Sequence, residues 1–430
     1  MRAIPLLALS AALTAASGHD AASATAGKPA STTSQPVDET TTASVPPPVV
    51  AARDDPFEAL GIRVGGFVLY PSLTITGGYT TNAAAGAGGG PAVLGILAPE
   101  LFIQSDWERH EVTLDFKGSY EHFSDGTPDD PTASVDATAT IDLPSDWSID
   151  LAAGAAYKTD DIEDPAFPAG ADTLPPVVDL TSSAALNGTF GARGTFTVEG
   201  TAGRTTYQNA TSGGVLVDQG DRNNSVFGAR LRVGYEATPI LTPFVEGEVD
   251  RRVYDQTVDH NGLQRGSVET SGRVGVAFDR GPLVTGEVSV GTTSVKFDDP
   301  ALAAIQSLTF AGNLVWSPTR LTTVTFDGST TVNPSVDPAS SGSVVRDGSV
   351  EVAYAWRDNV TLKAKGEVSS EAFEGVGQTD NTYDATLSAT WKLNRTFQLT
   401  GSYIHEWLNS TDPTTDYVSD TVKLELRAQR

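Results

Sequence analysis

Val422-Lys423-Leu424-Glu425-Leu426-Arg427-Ala428 is the stretch whose reading decides the fold. Successive side chains of a strand point to opposite sides, so Val422, Leu424, Leu426 and Ala428 share one face while Lys423, Glu425 and Arg427 share the other. The pattern repeats upstream. Val360, Leu362, Ala364 and Val368 oppose Thr361, Lys363, Lys365 and Glu367, and Trp147, Ile149, Leu151, Ala153, Ala155 and Tyr157 oppose Ser148, Asp150 and Lys158. Val112, Leu114, Phe116 and Tyr120 oppose Thr113, Asp115, Lys117, Ser119 and Glu121. From Gly61 onward the segments are about as long as the 9–11 residues that a tilted membrane strand needs.

The connections between these segments alternate between two kinds. Short ones include Leu-Pro-Ser-Asp near Pro144, 191–194, Ala-Thr-Pro-Ile near Pro239, 279–282, Ser-Pro-Thr-Arg near Pro318, 357–359 and 393–395, all built from turn-forming residues. Long ones cover 124–131, Asp160 to Asp179, Asn209 to Asn224, Val332 to Gly342 and Ser410 to Asp416, and are acidic or rich in Gly, Pro and Ser. One short turn for every two strands and a loop is the asymmetry of outer-membrane barrels, and the spacing predicts about 18 strands (16 to 18) in an all-β, antiparallel, up-and-down transmembrane barrel. The region around Pro71 reads as one long strand or two pieces, because Pro removes a ladder donor. Soluble β-helices and two-sheet repeats show the same alternation, but an export signal, two classes of connection and an even strand count favour the barrel.

Composition agrees with that reading. Hydrophobic residues make up 39% of the 430 and charged residues 19%, with 42 Gly. Both fractions fall below the roughly 45–50% and 25% of ordinary soluble domains. A barrel needs apolar residues only at alternate strand positions. No apolar run beyond the amino terminus approaches the roughly 20 residues of a membrane helix. The absence of Cys excludes disulfides, zinc–thiolate clusters and thiol nucleophiles. A formal charge of −26 opposes nucleic-acid binding.

The first residues, one Arg followed by a short apolar stretch and then small residues, have the zones of a secretory signal, assigned to 1–24. Residues 25–57 are Ala, Thr, Ser and Pro, too poor in large apolar side chains to fold by burial, and read as a periplasmic linker. Residues 58–430 are assigned to the barrel.

Two stretches carry a family resemblance. Gly61-Ile-Arg-Val-Gly-Gly-Phe-Val-Leu-Tyr-Pro-Ser-Leu73, continuing to Gly78, Tyr79 and Asn82, and then Ala98-Pro-Glu-Leu101 with Ser105-Asp-Trp-Glu-Arg-His110, resemble the opening of the putative β-barrel porin 2 family of Gram-negative bacteria. The resemblance implies an outer-membrane barrel. Some similar barrels accompany exopolysaccharide export, which implies an alternative cargo. The sequence departs from the usual barrel ending in that its last residues, Leu424 to Arg430, lack a terminal aromatic.

Sites for chemistry are few. No nucleophile elbow, metalloprotease helix, phosphate loop or dinucleotide fingerprint occurs in a fitting context, so no catalytic, cofactor or metal site is expected and the chain is read as a non-enzyme. His110, His122, His260 and His405 are the histidines beyond the signal. Glu246, Glu248 and Asp250 share one strand face and could imitate the paired carboxylates of glycosidases, but a water-filled lumen solvates such charges. Asp160, Asp161, Glu163 and Asp164 lack the ordered spacing and glycine of a calcium loop.

The expected function is an aqueous pore for passive diffusion of small hydrophilic solutes. The alternatives are a conduit for exported polysaccharide and a non-conducting surface barrel blocked by the Asp160 to Asp179 segment. Lumen-lining positions are Asp115, Lys117, Arg230, Arg232, Glu246, Glu248, Asp250, Lys363, Lys365 and Glu367. Because both signs occur, at most a modest cation preference is expected, with much of the net charge in the loops. Interfacial girdles are assigned to Trp147, Trp316, Trp356 and Trp391 beside short turns, and to Tyr120, Tyr157 and Tyr254 toward long loops, with Phe123, Tyr207 and Phe297 near the latter. Expected partners are outer-membrane lipid, lipopolysaccharide and the barrel assembly machinery.

Overall fold

A computed structural model describes residues 56–160, 175–335, 340–375, 377–412 and 415–430. The signal and linker assigned to 1–24 and 25–57 therefore lie outside the described residues, save Pro56 and Phe57. The strands are β1 (Ile62–Val64), β2 (Phe67–Thr80), β3 (Ala92–Ser105), β4 (Glu111–Phe123), β5 (Asp130–Leu143), β6 (Trp147–Thr159) and β7 (Pro176–Phe190). They continue with β8 (Gly194–Tyr207), β9 (Ala210–Ser212), β10 (Val215–Val217), β11 (Asn224–Tyr235), β12 (Leu241–Tyr254), β13 (Ser267–Asp279) and β14 (Val284–Phe297). The last are β15 (Ile305–Thr319), β16 (Thr322–Pro334), β17 (Gly342–Arg357), β18 (Val360–Glu374), β19 (Thr379–Lys392), β20 (Phe397–Ser410) and β21 (Tyr417–Gln429).

β2 to β8 and β11 to β21 form a closed antiparallel barrel of 18 strands, the number the turn spacing predicts. Each pairs with its neighbour in sequence, β8 pairs directly with β11, and β21 returns to β2 from Ser72↔Gln429 to Thr80↔Thr421. Closure leaves no sheet edge, which is the condition for strands to cross lipid. β1 lies outside the ring, as a hairpin with the start of β2. β9 and β10 form a second small hairpin within the Asn209 to Asn224 connection, turning at Gly213 and Gly214, both at positive φ. Ser145 and Asp146 also take positive φ, 67° and 58°, as the two central residues of the tight turn between β5 and β6. Such turns match the twist of the strands they join.

Pro71 lies within a single strand. Its carbonyl accepts the Arg430 N–H at 3.2 Å, beyond the last β2–β21 ladder pair at Ser72, so the missing donor falls where pairing ends. Pro99 acts differently: the β3–β4 ladder runs Leu97↔Tyr120 and then Glu100↔Lys117, leaving out the positions between. Three long connections are shorter than the sequence suggests, because Asp130 and Pro131 begin β5, Pro176 to Asp179 begin β7, and Val332 to Pro334 end β16. Residues 161–174, within the segment that the blocked-barrel alternative invokes, lie outside the described residues.

The two faces differ as the alternation requires. On β21, Val422 and Leu424 are 56% and 57% exposed, whereas Lys423 and Glu425 are 2% and 4% exposed. The buried polar face is the inner one. Arg232 of β11 reaches Glu287 of β14 at 2.6 Å, past two intervening strands, which side chains do only across the concave side of a curved sheet. Trp147, Trp316, Trp356 and Trp391 are exposed at the short-turn ends, and Tyr120 and Tyr157 are exposed at the other. Tyr254 is a correction. It pairs with Asn224, shares the inner face with Asp250 four residues earlier, and is buried, because an even spacing within a strand keeps the same face. Tyr207 is likewise buried on that face, opposite Val177. The exposed aromatics toward the long loops that the sequence reading omitted include Tyr79, Phe227, Phe310 and Tyr403.

The outward face gives a direct test. Leu424→Arg should lower folding stability in lipid vesicles by about 2–4 kcal/mol, the cost of a cation on the lipid face near the midplane, as read by urea unfolding. Wild-type stability for this variant would mean that the face does not meet lipid.

Candidate functional site

The inner face is assembled by register, each strand placing alternate residues beside those of its neighbours. From β3 to β7 it carries Glu100, Glu111, Asp115, Glu121, Asp130, Asp136, Asp142, Asp150 and Asp179 against Lys117 and Lys158. From β8 to β14 it carries Glu199, Glu246, Glu248, Asp250, Glu269 and Glu287 against Arg230, Arg232, Arg252 and Arg273. From β15 to β21 it carries Asp327, Asp347, Glu351, Glu367, Glu371, Asp380, Asp384, Glu406 and Glu425 against Lys363, Lys365, Lys392, Lys423 and Arg427. Carboxylates exceed cations on every arc. Both signs occur, as the sequence suggests, with carboxylates in excess.

The ten positions singled out in the sequence fall into three groups. On β4, Lys117 Nζ lies 2.6 Å from Asp115. On β17 and β18, Lys363 reaches Glu351 at 3.1 Å and Lys365 reaches Glu367 at 2.8 Å. The third group is a belt across β8 to β14. Arg230 bonds Glu199, Arg232 lies 2.6 Å from Glu287 and 3.7 Å from Glu246, and Arg273 lies 2.9 Å from Glu246 and 3.5 Å from Glu248. Arg232 also covers the Phe244 ring, 3.5 Å from its centroid. Asp250 sits one inward position beyond this belt, opposite Gly228, where a Cβ would meet its Oδ1 at 2.1 Å.

The belt is packed wall. Glu246 is 6% exposed and Arg273 is 8% exposed, so pairing with other side chains, and not bulk water, offsets these charges. Glu246 is within ion-pair reach of two arginines, yet neither of its oxygens has hydrogen-bond alignment. Removing one member of such a network strands the rest, at about 3–5 kcal/mol for a buried pair. The sequence reading missed Glu199, Arg273 and Glu287. Each is flanked by outward apolar residues, Val198, Val274 and Val288, so alternation marks their face. Their convergence depends on register between strands far apart in sequence.

The histidines do not converge. His110 Nδ1 accepts the Asp142 N–H at 3.0 Å; His122 and His405 each lie 2.7 Å from one carboxylate, Asp129 and Asp420, which Tyr120 and Tyr403 also bond. Among the described residues no group of three or more His, Asp or Glu is arranged to hold a metal ion. Of the acidic cluster beginning at Asp160, only Asp160 is described. It is paired with Arg222, which packs over Tyr207 at 3.9 Å from the ring centroid.

That pair starts a chain of contacts among the long loops. Asp160 follows β6, and Arg222 and Asp221 belong to the connection from β8 to β11. Asp221 bonds His260 in the loop after β12. In the same loop Arg265 bonds Asp259 at 2.9 Å and the carbonyls of Ser335 and Ser340 at 2.8 and 3.1 Å, while the Gln264 N–H donates to Asp299 at 3.1 Å. Five loops are thus joined over one side of the mouth. On the outer surface below them Arg204 and Arg251 hold Asp255 and Asp298 below the usual carboxylate range through paired hydrogen bonds.

The family model described as Putative beta-barrel porin 2 matches residues 55–430. Among solved structures, a BenF-like porin from Pseudomonas fluorescens Pf-5 is 10% identical, with a TM-score of 0.44, covering 85% of this chain and 100% of that one. The outer membrane protein opdK from Pseudomonas aeruginosa is 13% identical, with a TM-score of 0.41, covering 84% and 98%. The ferric enterobactin receptor PfeA from Pseudomonas aeruginosa is 8% identical, with a TM-score of 0.42, covering 84% and 80%. No curated protein sequence matches.

His260 supplies a pH test of the loop chain. The hydrogen bond to Asp221, then its charge, raises the imidazole above its ordinary 6.5, with Asp218 and Asp259 adding to the effect. A raised folded value means that the stabilisation is complete below the unfolded imidazole's value and is lost as pH rises through the folded one. Asp221→Asn should lower the His260 midpoint, followed by the imidazole proton resonances. An unmoved midpoint would show that this contact does not form.

Proposed function

The chain belongs to the Putative beta-barrel porin 2 family, and from that membership we propose that it forms an aqueous pore of the outer membrane for passive diffusion of small hydrophilic solutes. The observation that carries the reading is the closed barrel with an apolar outer face and an inner face lined with charge and hydroxyl. Barrels of 16–18 strands leave a channel that side chains do not fill. The short turns face the periplasm and the long loops face outward, as in other outer-membrane barrels.

In this reading Asp115, Lys117, Arg230, Arg232, Glu246, Glu248, Asp250, Lys363, Lys365 and Glu367 line the lumen, and charges in such a lining set selectivity. The belt at β8 to β14 is internally paired and contributes shape more than field. The carboxylate excess on every arc makes the pore cation-selective. The exposed tryptophans at the short-turn ends and Tyr79, Tyr120, Tyr157 and Tyr403 at the other mark the two interfacial girdles. Lipid and lipopolysaccharide surround the barrel, and the assembly machinery inserts it. No specific observation favours a polysaccharide conduit or a blocked surface barrel.

Purified protein in planar bilayers should give stable conductance steps, with a reversal potential in a salt gradient that favours cations. Asp327→Asn combined with Glu367→Gln should move that potential toward zero without abolishing the steps. A folded barrel that never conducts, or one that prefers anions, would overturn this reading.

A further inference from the structure

Strands cross lipid only when the backbone groups on both sides of each strand find partners. The seam between β15 and β16 departs from this. β15 pairs with β14 from Ile305 to Trp316, and β16 pairs with β17 from Thr322 to Pro334. Between themselves β15 and β16 pair only from Ala311↔Ser329 to Trp316↔Val324, with Thr319↔Thr322 past a bulge. It is the shortest ladder between neighbouring barrel strands. Ile305 to Phe310 on one side and Thr330 to Pro334 on the other therefore flank a gap in the half of the barrel next to the long loops.

Side chains close the gap. The Phe310 N–H donates to Thr330 Oγ1 at 3.3 Å, and Arg346 reaches over from β17 to Ser307 Oγ at 3.5 Å. Behind them Val295, Ile305, Val332 and Val344 form one cluster, each at most 3% exposed, with Phe297 against it. By strand parity Val295 and Ile305 point inward while Val332 and Val344 share the outer face of Phe326 and Val350, so the cluster lies between the inner face of β14 and β15 and the outer face of β16 and β17. β17 comes close enough that a Cβ on Gly342 would lie 2.9 Å from Ile305 Cδ1 and 2.3 Å from the Asn333 carbonyl oxygen. Leu308 and Phe310, at the level of the gap, are exposed on the outer face, so this level lies within the apolar band.

The two kinds of closure yield differently. A ladder parts only when several hydrogen bonds break together. An apolar plug parts by side-chain rotation, since each of its atom contacts is worth only about 0.1–0.2 kcal/mol, and it readmits the same surface to another apolar group without penalty.

We propose that the outer half of the β15–β16 seam is a lateral portal between the lumen and the outer leaflet, used by amphipathic solutes with a neutral or cationic head. The plug accepts the apolar portion, while the acidic inner face accepts the head and disfavours anionic amphiphiles. The portal rests on the pore reading for its aqueous side only.

The chain has no Cys, so Ile305→Cys combined with Val332→Cys creates the sole candidate disulfide, joining the two edges through the plug. Full-length protein carrying the pair is assayed oxidised and re-reduced, in cells for uptake of the apolar amine N-phenylnaphthylamine and in planar bilayers for conductance. The expected result is that oxidation brings uptake down to that of cells lacking the protein, that reduction restores it, and that conductance is the same in both forms. Val344→Ala, which thins the plug, should raise uptake above wild type. Uptake that is indifferent to the bond while conductance persists overturns the portal and leaves the pore. Uptake that follows the bond without any conductance overturns the pore and leaves the portal. Failure of the bond to form under oxidant shows that the two edges are not in contact and overturns the portal.

Discussion

Backbone hydrogen bonding in a medium without water is the constraint on which this structure depends. A strand in lipid has no solvent partner for its N–H and C=O groups, so each must be paired on both sides, and only a closed ring does this for every strand. The return of β21 to β2 is therefore the contact that makes the other ladders compatible with a bilayer. The prolines obey the same rule. Pro71 sits where the closing ladder has already ended, and Pro99 interrupts one ladder locally without shifting its register. The β15–β16 seam, where the rule is relaxed, is also where an apolar cluster replaces hydrogen bonds.

Closure has a second consequence, inside the ring. Curvature crowds the inward side chains and spreads the outward ones, so charged residues that would be solvated on a flat sheet meet partners from strands two or three away. Arg232 bridging to Glu287 is a product of that curvature, whereas Glu246 lies between two arginines that face it directly across its own ladders. Such pairs offset the cost of removing charge from water without contributing much net stability. They line part of the wall with a layer of mutually paired side chains.

The loops extend the same logic beyond the membrane. Arg222 and Arg265 are nearly buried, and each reaches a carboxylate or carbonyls from another turn of the chain. Connections that look independent along the sequence become one linked surface over part of the mouth. The exposed ion pairs of Arg204 and Arg251 beneath them contribute little energy individually, but they fix where the loops begin.

The sequence by itself determined the fold class, the strand count and the face of nearly every strand residue, because period-2 alternation and turn spacing are local and survive without knowledge of partners. Val422 to Ala428 shows this directly: its outward and inward residues are those the pattern assigns. Tyr254 was legible too, since it shares parity with Asp250, but its position near a long loop suggested a girdle instead. What only the tertiary structure decided is what lies beside what. The convergence of Glu199, Arg230, Arg273 and Glu287, the joining of five loops and the stretch of β15 that has no ladder to β16 all depend on register and curvature summed around a ring. Alternation fixes which side of the sheet a residue faces, whereas a contact across the ring depends on the stagger of every strand between its partners, which no local pattern encodes.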